Sequence, residues 1–120
     1  MATPTVLLLE DEPIIAADLS AMLGSFGCEV LWVADSREAL ALCALRRPDW
    51  AMLNFRQPDG TDGMALASIL RAASPVKVFF LTGARKQDLE TSPNFSADHA
   101  VLYKPFTKRE VKAVLAQMFP

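Results

Sequence analysis

The chain is poor in the residues that most often carry chemistry alone. Its 120 residues hold two cysteines, one histidine and one tyrosine. Cys28 and Cys43 lie among apolar neighbours without CxxC spacing, which points to buried, reduced thiols rather than a disulfide or a metal site. No apolar run approaches the roughly 20 residues needed to span a bilayer. The start, Met1-Ala2-Thr3-Pro4-Thr5, has neither the basic opening nor the cleavage pattern of a signal peptide. Neither sign of charge dominates: the formal net charge is -2 and the pI near 5.3, which argues against nonspecific nucleic-acid binding. Repeats, low-complexity stretches and linkers are absent. These features together predict a cytoplasmic protein with no membrane association.

What is present is apolar and regularly spaced. Hydrophobic residues make up 52% of the chain, enough for one domain of this length to bury a real core. Val6-Leu7-Leu8-Leu9 is a continuous apolar run, as in a strand buried on both faces. It breaks into Glu10-Asp11-Glu12-Pro13, where proline suits a first helical turn and acidic residues suit the helix dipole. Ile15, Leu19, Met22, Leu23 and Phe26 then form one helix face, with Gly24 and Gly27 at its end.

A second strand is expected over Glu29 to Ala34. Asp35 and Glu38 have capping-box spacing before a helix whose inner face is Ala39, Leu40 and Cys43. The third strand, Trp50 to Asn54, ends in a turn-rich segment through Pro58 and Gly60 to Gly63. A helix from Asp62 or Gly63 carries Leu66, Ala67 and Leu70 and closes at Ser74-Pro75. A fourth strand runs from Val76 to Thr82, and Lys86 to Thr91 is expected as a short helix cut off by Ser92-Pro93. Val101 to Tyr103 is a fifth strand. Thr107 and Glu110 cap a last helix with the stripe Val111, Val114, Leu115 and Met118.

Five alternations of strand and helix predict a three-layer, doubly wound α/β fold around a parallel sheet. The polar punctuation falls at the carboxyl ends of strands, at Glu10-Asp11-Glu12, Asn54, Thr82 and Lys104, where open α/β sheets bind ligands. Each residue alone has a plain reading. The acidic run would be a helix start, Asn54 a turn residue, Thr82 a strand-end cap and Lys104 a surface charge. His99 is expected to be exposed and without a catalytic role. Trp32 and Trp50 read as core or packing residues, and Arg46-Arg47 and Lys108-Arg109 as solvated helix charges.

Taken together, these strand-end residues make the whole chain resemble a receiver domain of a two-component response regulator. The resemblance implies a single receiver domain over residues 1–120, with no output domain, and a five-stranded sheet in 2-1-3-4-5 order. Glu10 and Asp11 match the family's acidic pair, Thr82 its hydroxyl, Lys104-Pro105 its lysine and proline, and Pro58 its loop proline. Pro58 and Pro105 are the loop and cis-peptide positions. The family implies Mg²⁺, held by Asp11, the Arg56 carbonyl and the acceptor side chain, with Glu10 acting through water. Thr82 and Lys104 would then engage the phosphoryl group.

The chain departs from the family at the acceptor itself, which is Asn54 in place of Asp. A neutral amide is a poor nucleophile, so the expectation is a phosphorylation-deficient receiver with weakened Mg²⁺ binding, natural or arising from an Asp-to-Asn substitution. Val101 stands at the switch position, where many receivers have Tyr or Phe, and the Pro58–Gly63 loop is one residue longer than the commonest form. The implied partner is a histidine kinase or histidine phosphotransfer protein, and homodimerisation is compatible with the resemblance.

A second reading is a phosphorylation-independent adaptor that binds a partner through the Val111 to Met118 face and nearby loops. An enzyme reading fares worse. A haloacid-dehalogenase-like phosphatase needs DxD after strand one, and a dinucleotide or P-loop protein needs glycines there; the chain has neither.

Overall fold

Val6, Leu7, Leu8 and Leu9 are completely buried, as the unbroken apolar run requires of a strand covered on both faces. The computed structural model describes residues 3–56, 62–83 and 100–118. The predicted helix over Lys86 to Thr91, together with Pro58 and His99, lies outside the described residues. In chain order the elements are β1 (Thr5–Leu9), α1 (Pro13–Ser25), β2 (Glu29–Val33), α2 (Ser36–Arg46), β3 (Trp50–Asn54), α3 (Gly63–Ala73), β4 (Lys77–Thr82), β5 (Ala100–Tyr103) and α4 (Lys108–Met118). All strands pair in parallel, in the order β2-β1-β3-β4-β5. The expected doubly wound sheet is therefore present, with its strand order.

Because strand side chains alternate between faces, the sheet divides its residues into two cores. Leu7, Leu9, Ala51, Leu53, Val78 and Phe80 face α2 and α3. Val6, Leu8, Trp50, Met52, Phe79 and Leu81 face α1 and α4. Cys43 belongs to the first core and Cys28 to the second, so the sheet separates the two thiols. Burial pushes both thiols above their ordinary range, which leaves them unreactive.

The helix starts follow the capping chemistry of the sequence. The Asp35 carboxylate accepts from the Glu38 N–H at 2.8 Å, and Asp62 accepts from the Met64 N–H at 2.8 Å. Thr107 and Glu110 form the reciprocal capping box, the Glu110 N–H donating to Thr107 Oγ1 at 3.2 Å and the Thr107 N–H to Glu110 Oε1 at 3.1 Å. Gly27 takes a φ of +92°, a left-handed conformation that costs glycine little, and so turns the chain from α1 into β2.

Three expectations need correction. The acidic run divides: Glu12 is the N-cap residue of α1, without a side-chain cap bond, while Glu10 turns inward and is fully buried. Trp32 is not a core residue. It stands on the edge strand β2 and is 46% exposed. In the apolar stripe of α4, Val111, Val114 and Leu115 are buried in the core beneath it and are not open to a partner.

Candidate functional site

Parallel pairing decides which polar residues meet. Leu8 of β1 stands beside Met52 of β3. Two residues further along each strand, on the same face, come Glu10 and Asn54. The central position of β1 and β3 buries both: Glu10 is 0% and Asn54 5% exposed. A buried carboxylate is tolerated only when paired and hydrogen-bonded, and the ends of β3 and β5 supply what Glu10 needs.

Lys104 follows β5 and reaches back across the sheet edge. Its ammonium donates to Glu10 Oε1 and, at 3.1 Å, to Asn54 Oδ1. The Asn54 amide nitrogen donates to Glu10 Oε2 and, at 3.0 Å, to Asp11 Oδ1. Each group thus meets a partner of opposite hydrogen-bonding sense, and both Glu10 oxygens are engaged. Burial by itself raises the Glu10 carboxyl. The hydrogen bonds from Lys104 and Asn54, with the Lys104 charge, outweigh it and hold the group below the usual carboxylate range.

The backbone around Glu10 is pinned as well. Its N–H donates to Val33 O at 3.2 Å, continuing the β1–β2 ladder by one residue. Its carbonyl accepts from Trp32 Nε1 at 2.8 Å. Trp32 therefore has a place at the site that its sequence did not announce. The available signal was the predicted strand order, which puts β2 at an edge, where a large aromatic has a free side.

The remaining candidates are placed as follows. Thr82 is buried at the end of β4, and its carbonyl accepts from the Lys104 N–H at 2.7 Å, which ties the ends of β4 and β5 together. Arg56 is exposed and its backbone bridges to Asp62. Val101 is partly buried and packs, like Tyr103, against the α2–α3 core. The Lys104–Pro105 peptide is cis, at the expected position. Gly63, expected only as a helix start, also lets α3 approach the end of β3, its N–H donating to Phe55 O at 2.6 Å.

Beside Lys104 lies a groove of about 770 Å³, walled by Ile14 and Ile15 of α1 and by Pro105 and Phe106. Ile14 is 85% exposed there. Among the described residues, no three His, Cys, Asp or Glu side chains converge as a metal cluster.

The Mg²⁺ that the resemblance implies wants oxygen ligands in near-octahedral array. Between Glu10 and Asp11 stands instead an amide NH₂, a donor that repels a cation. As arranged, these residues do not fit the ion.

An open parallel sheet with acidic residues after its first strand and a lysine after its fifth defines a receiver-type module. The comparisons agree with that class. The response regulator receiver domain model matches residues 6–116, and the chain belongs to that family. It is 33% identical to the phyllosphere-induced regulator PhyR of Methylorubrum extorquens, over 98% of this chain and 43% of the relative. Among solved structures it resembles the response regulator PhyR from Brucella abortus, with a TM-score of 0.85 and 29% identity over 98% of this chain and 48% of that one. The anti-anti-sigma factor PhyR from Bartonella quintana gives a TM-score of 0.82 and 25% identity, with 98% and 48% covered. The chain spans about half the length of these relatives.

Proposed function

We propose that this chain is one receiver domain, residues 1–120, of a cytoplasmic two-component phosphorelay, with a signalling rather than catalytic role, and that it does not accept a phosphoryl group as written. One observation carries the reading: Asn54, which the resemblance puts at the acceptor position, is buried and bonded to Glu10, Asp11 and Lys104. Phosphoryl transfer needs a carboxylate oxygen to attack phosphorus, and an amide oxygen whose lone pairs face an ammonium is a far weaker nucleophile. In this reading Glu10, Asp11 and the Arg56 carbonyl mark the family's metal position, Thr82 and Lys104 the phosphoryl-recognising groups, and Val101 the switch position. Mg²⁺ affinity is weakened by Asn54. A histidine kinase or phosphotransfer protein is the partner class.

A second reading, a phosphorylation-independent adaptor, is favoured by the groove beside Ile14 and Phe106, which leaves apolar surface open next to the pocket. The anti-anti-sigma relative supports protein partners beyond kinases.

Intact-protein mass after incubation with a small phosphodonor and Mg²⁺, run beside Asn54→Asp, separates the cases. A phosphoryl gain by the Asn54→Asp variant alone is the expected result. A gain by the unmodified chain overturns the reading, and no gain by either moves the adaptor ahead.

A further inference from the structure

We propose that the Asn54 amide is a built-in replacement for a cation, closing Glu10, Asp11 and Lys104 into a network that keeps its shape without divalent metal. The inference rests on the receiver reading above and goes beyond the loss of phosphoryl acceptance: it makes the pocket complete rather than merely disabled.

The argument is one of donor counting. Two carboxylates from adjacent chain positions, Glu10 and Asp11, meet at the Asn54 amide beside one ammonium, Lys104, which pairs with Glu10, and a carboxylate at position 54 would set three against one. That arrangement calls for a cation. An amide at the same place supplies two N–H donors and one carbonyl acceptor. The structure uses both ends: the nitrogen serves Glu10 Oε2 and Asp11 Oδ1, and the oxygen serves the Lys104 ammonium.

Lys104 also fixes the amide's direction. For Asn54 to offer its oxygen to a metal between the carboxylates, the amide would have to rotate by half a turn. Its NH₂ would then face the Lys104 NH₃⁺, donor against donor. The ammonium has no lone pair to accept with, and it is held in place by Glu10 Oε1. Entry of a cation therefore means breaking both donations from Asn54, each to an ionised group, and turning the amide against Lys104. Loss of those bonds weakens metal binding by about a hundredfold or more relative to an Asp at position 54. The same closure holds Lys104, and with it the start of the Pro105–Phe106 wall of the groove, in one arrangement whether or not Mg²⁺ is present.

The test is thermal melting of the folded chain in EDTA and in saturating MgCl₂, for the protein and for Asn54→Asp. Trp32 fluorescence in a Trp50→Phe background serves as a second readout, since the Trp32 indole bonds the Glu10 carbonyl. The expected result is a melting temperature and an emission that ignore Mg²⁺ in the parent protein. The Asn54→Asp variant should melt lower in EDTA, recover with Mg²⁺, and bind the ion at least about a hundredfold more tightly. An equal Mg²⁺ response in both proteins overturns the proposal. So does indifference in both, because Asn54 would then not be what excludes the ion. Should Asn54→Asp fail to fold in EDTA, Asn54→Ala removes the amide without adding charge, and a melting temperature that does not rise with Mg²⁺ in that variant overturns the proposal. If Asn54→Asp binds Mg²⁺ but gains no phosphoryl mass, the phosphorelay reading fails while this one stands.

Discussion

Replacing Lys104 by Met should destabilise the domain more than any surface lysine could. Glu10 is wholly buried, and among the described residues Lys104 is the cation paired with it, through a side chain 17% exposed. Removing one partner of a buried ion pair costs about 3–5 kcal/mol. Two features reduce that figure here. Asn54 continues to donate to Glu10 Oε2, and the partial exposure of Lys104 lets water approach the space it leaves. A loss of about 2–3 kcal/mol follows from that discount. Unfolding entropy of about 2.1 cal/mol/K per residue over this chain converts that into a fall in Tm of roughly 10 °C. Urea denaturation of Lys104→Met, Glu10→Gln and the double variant measures both the loss and its origin. The double variant should recover part of the loss, with a coupling of about 1 kcal/mol or more.

The pH dependence of that loss has a definite sign. The native Glu10 carboxyl lies below its unfolded value, so its stabilising contribution is present above the ordinary carboxylate range and disappears as pH falls through the lowered native value. Without Lys104, burial is opposed by less, and the ionised group becomes a burden at neutral pH. The deficit should be widest near pH 7 and narrow below about pH 4. A deficit under about 0.5 kcal/mol, or strict additivity in the cycle, would refute the claim that Lys104 answers a buried charge.

Two further changes probe the frame around the site. A Cβ on Gly63 would lie 2.5 Å from the Asn54 carbonyl oxygen and 2.9 Å from that of Phe55, both rigid backbone atoms. Gly63→Ala should therefore cost about 1–3 kcal/mol in chemical denaturation, and a variant as stable as the parent would show that α3 is not held against the end of β3. Cys28 and Cys43 should react with a thiol reagent only as fast as unfolding exposes them, because both are buried and their thiols are pushed up. A fast-reacting thiol in the native protein would contradict the placement of either core.

The fold is legible in the sequence because its signals are local and mutually consistent. Four consecutive apolar residues in β1, a capping aspartate at Asp35 and a capping box at Thr107 each point to an element that the structure contains. Trp32 and the α4 stripe are less legible for one reason. A one-dimensional pattern says that a side chain is apolar, but not whether its strand lies at a sheet edge or its helix is already spent on a core. The expected meeting of Glu10, Asp11, Asn54 and Lys104 rests on the family resemblance; the residue pattern alone gives only a cluster of strand ends.

What no sequence pattern could supply is the direction of the Asn54 amide. Replacing Asp by Asn reads as a subtraction, one charge and one nucleophile fewer. In the folded chain it is also an addition, since the new NH₂ donates to two carboxylates that would otherwise repel each other. The substitution therefore acts on both sides of a balance. On the proposed reading it removes the oxygen that would attack phosphorus, together with the electrostatic reason for a cation to be there. In the proposed reading, loss of phosphoryl chemistry and independence from metal are one consequence of a single amide. A variant that restores the acceptor must restore the need for the ion with it.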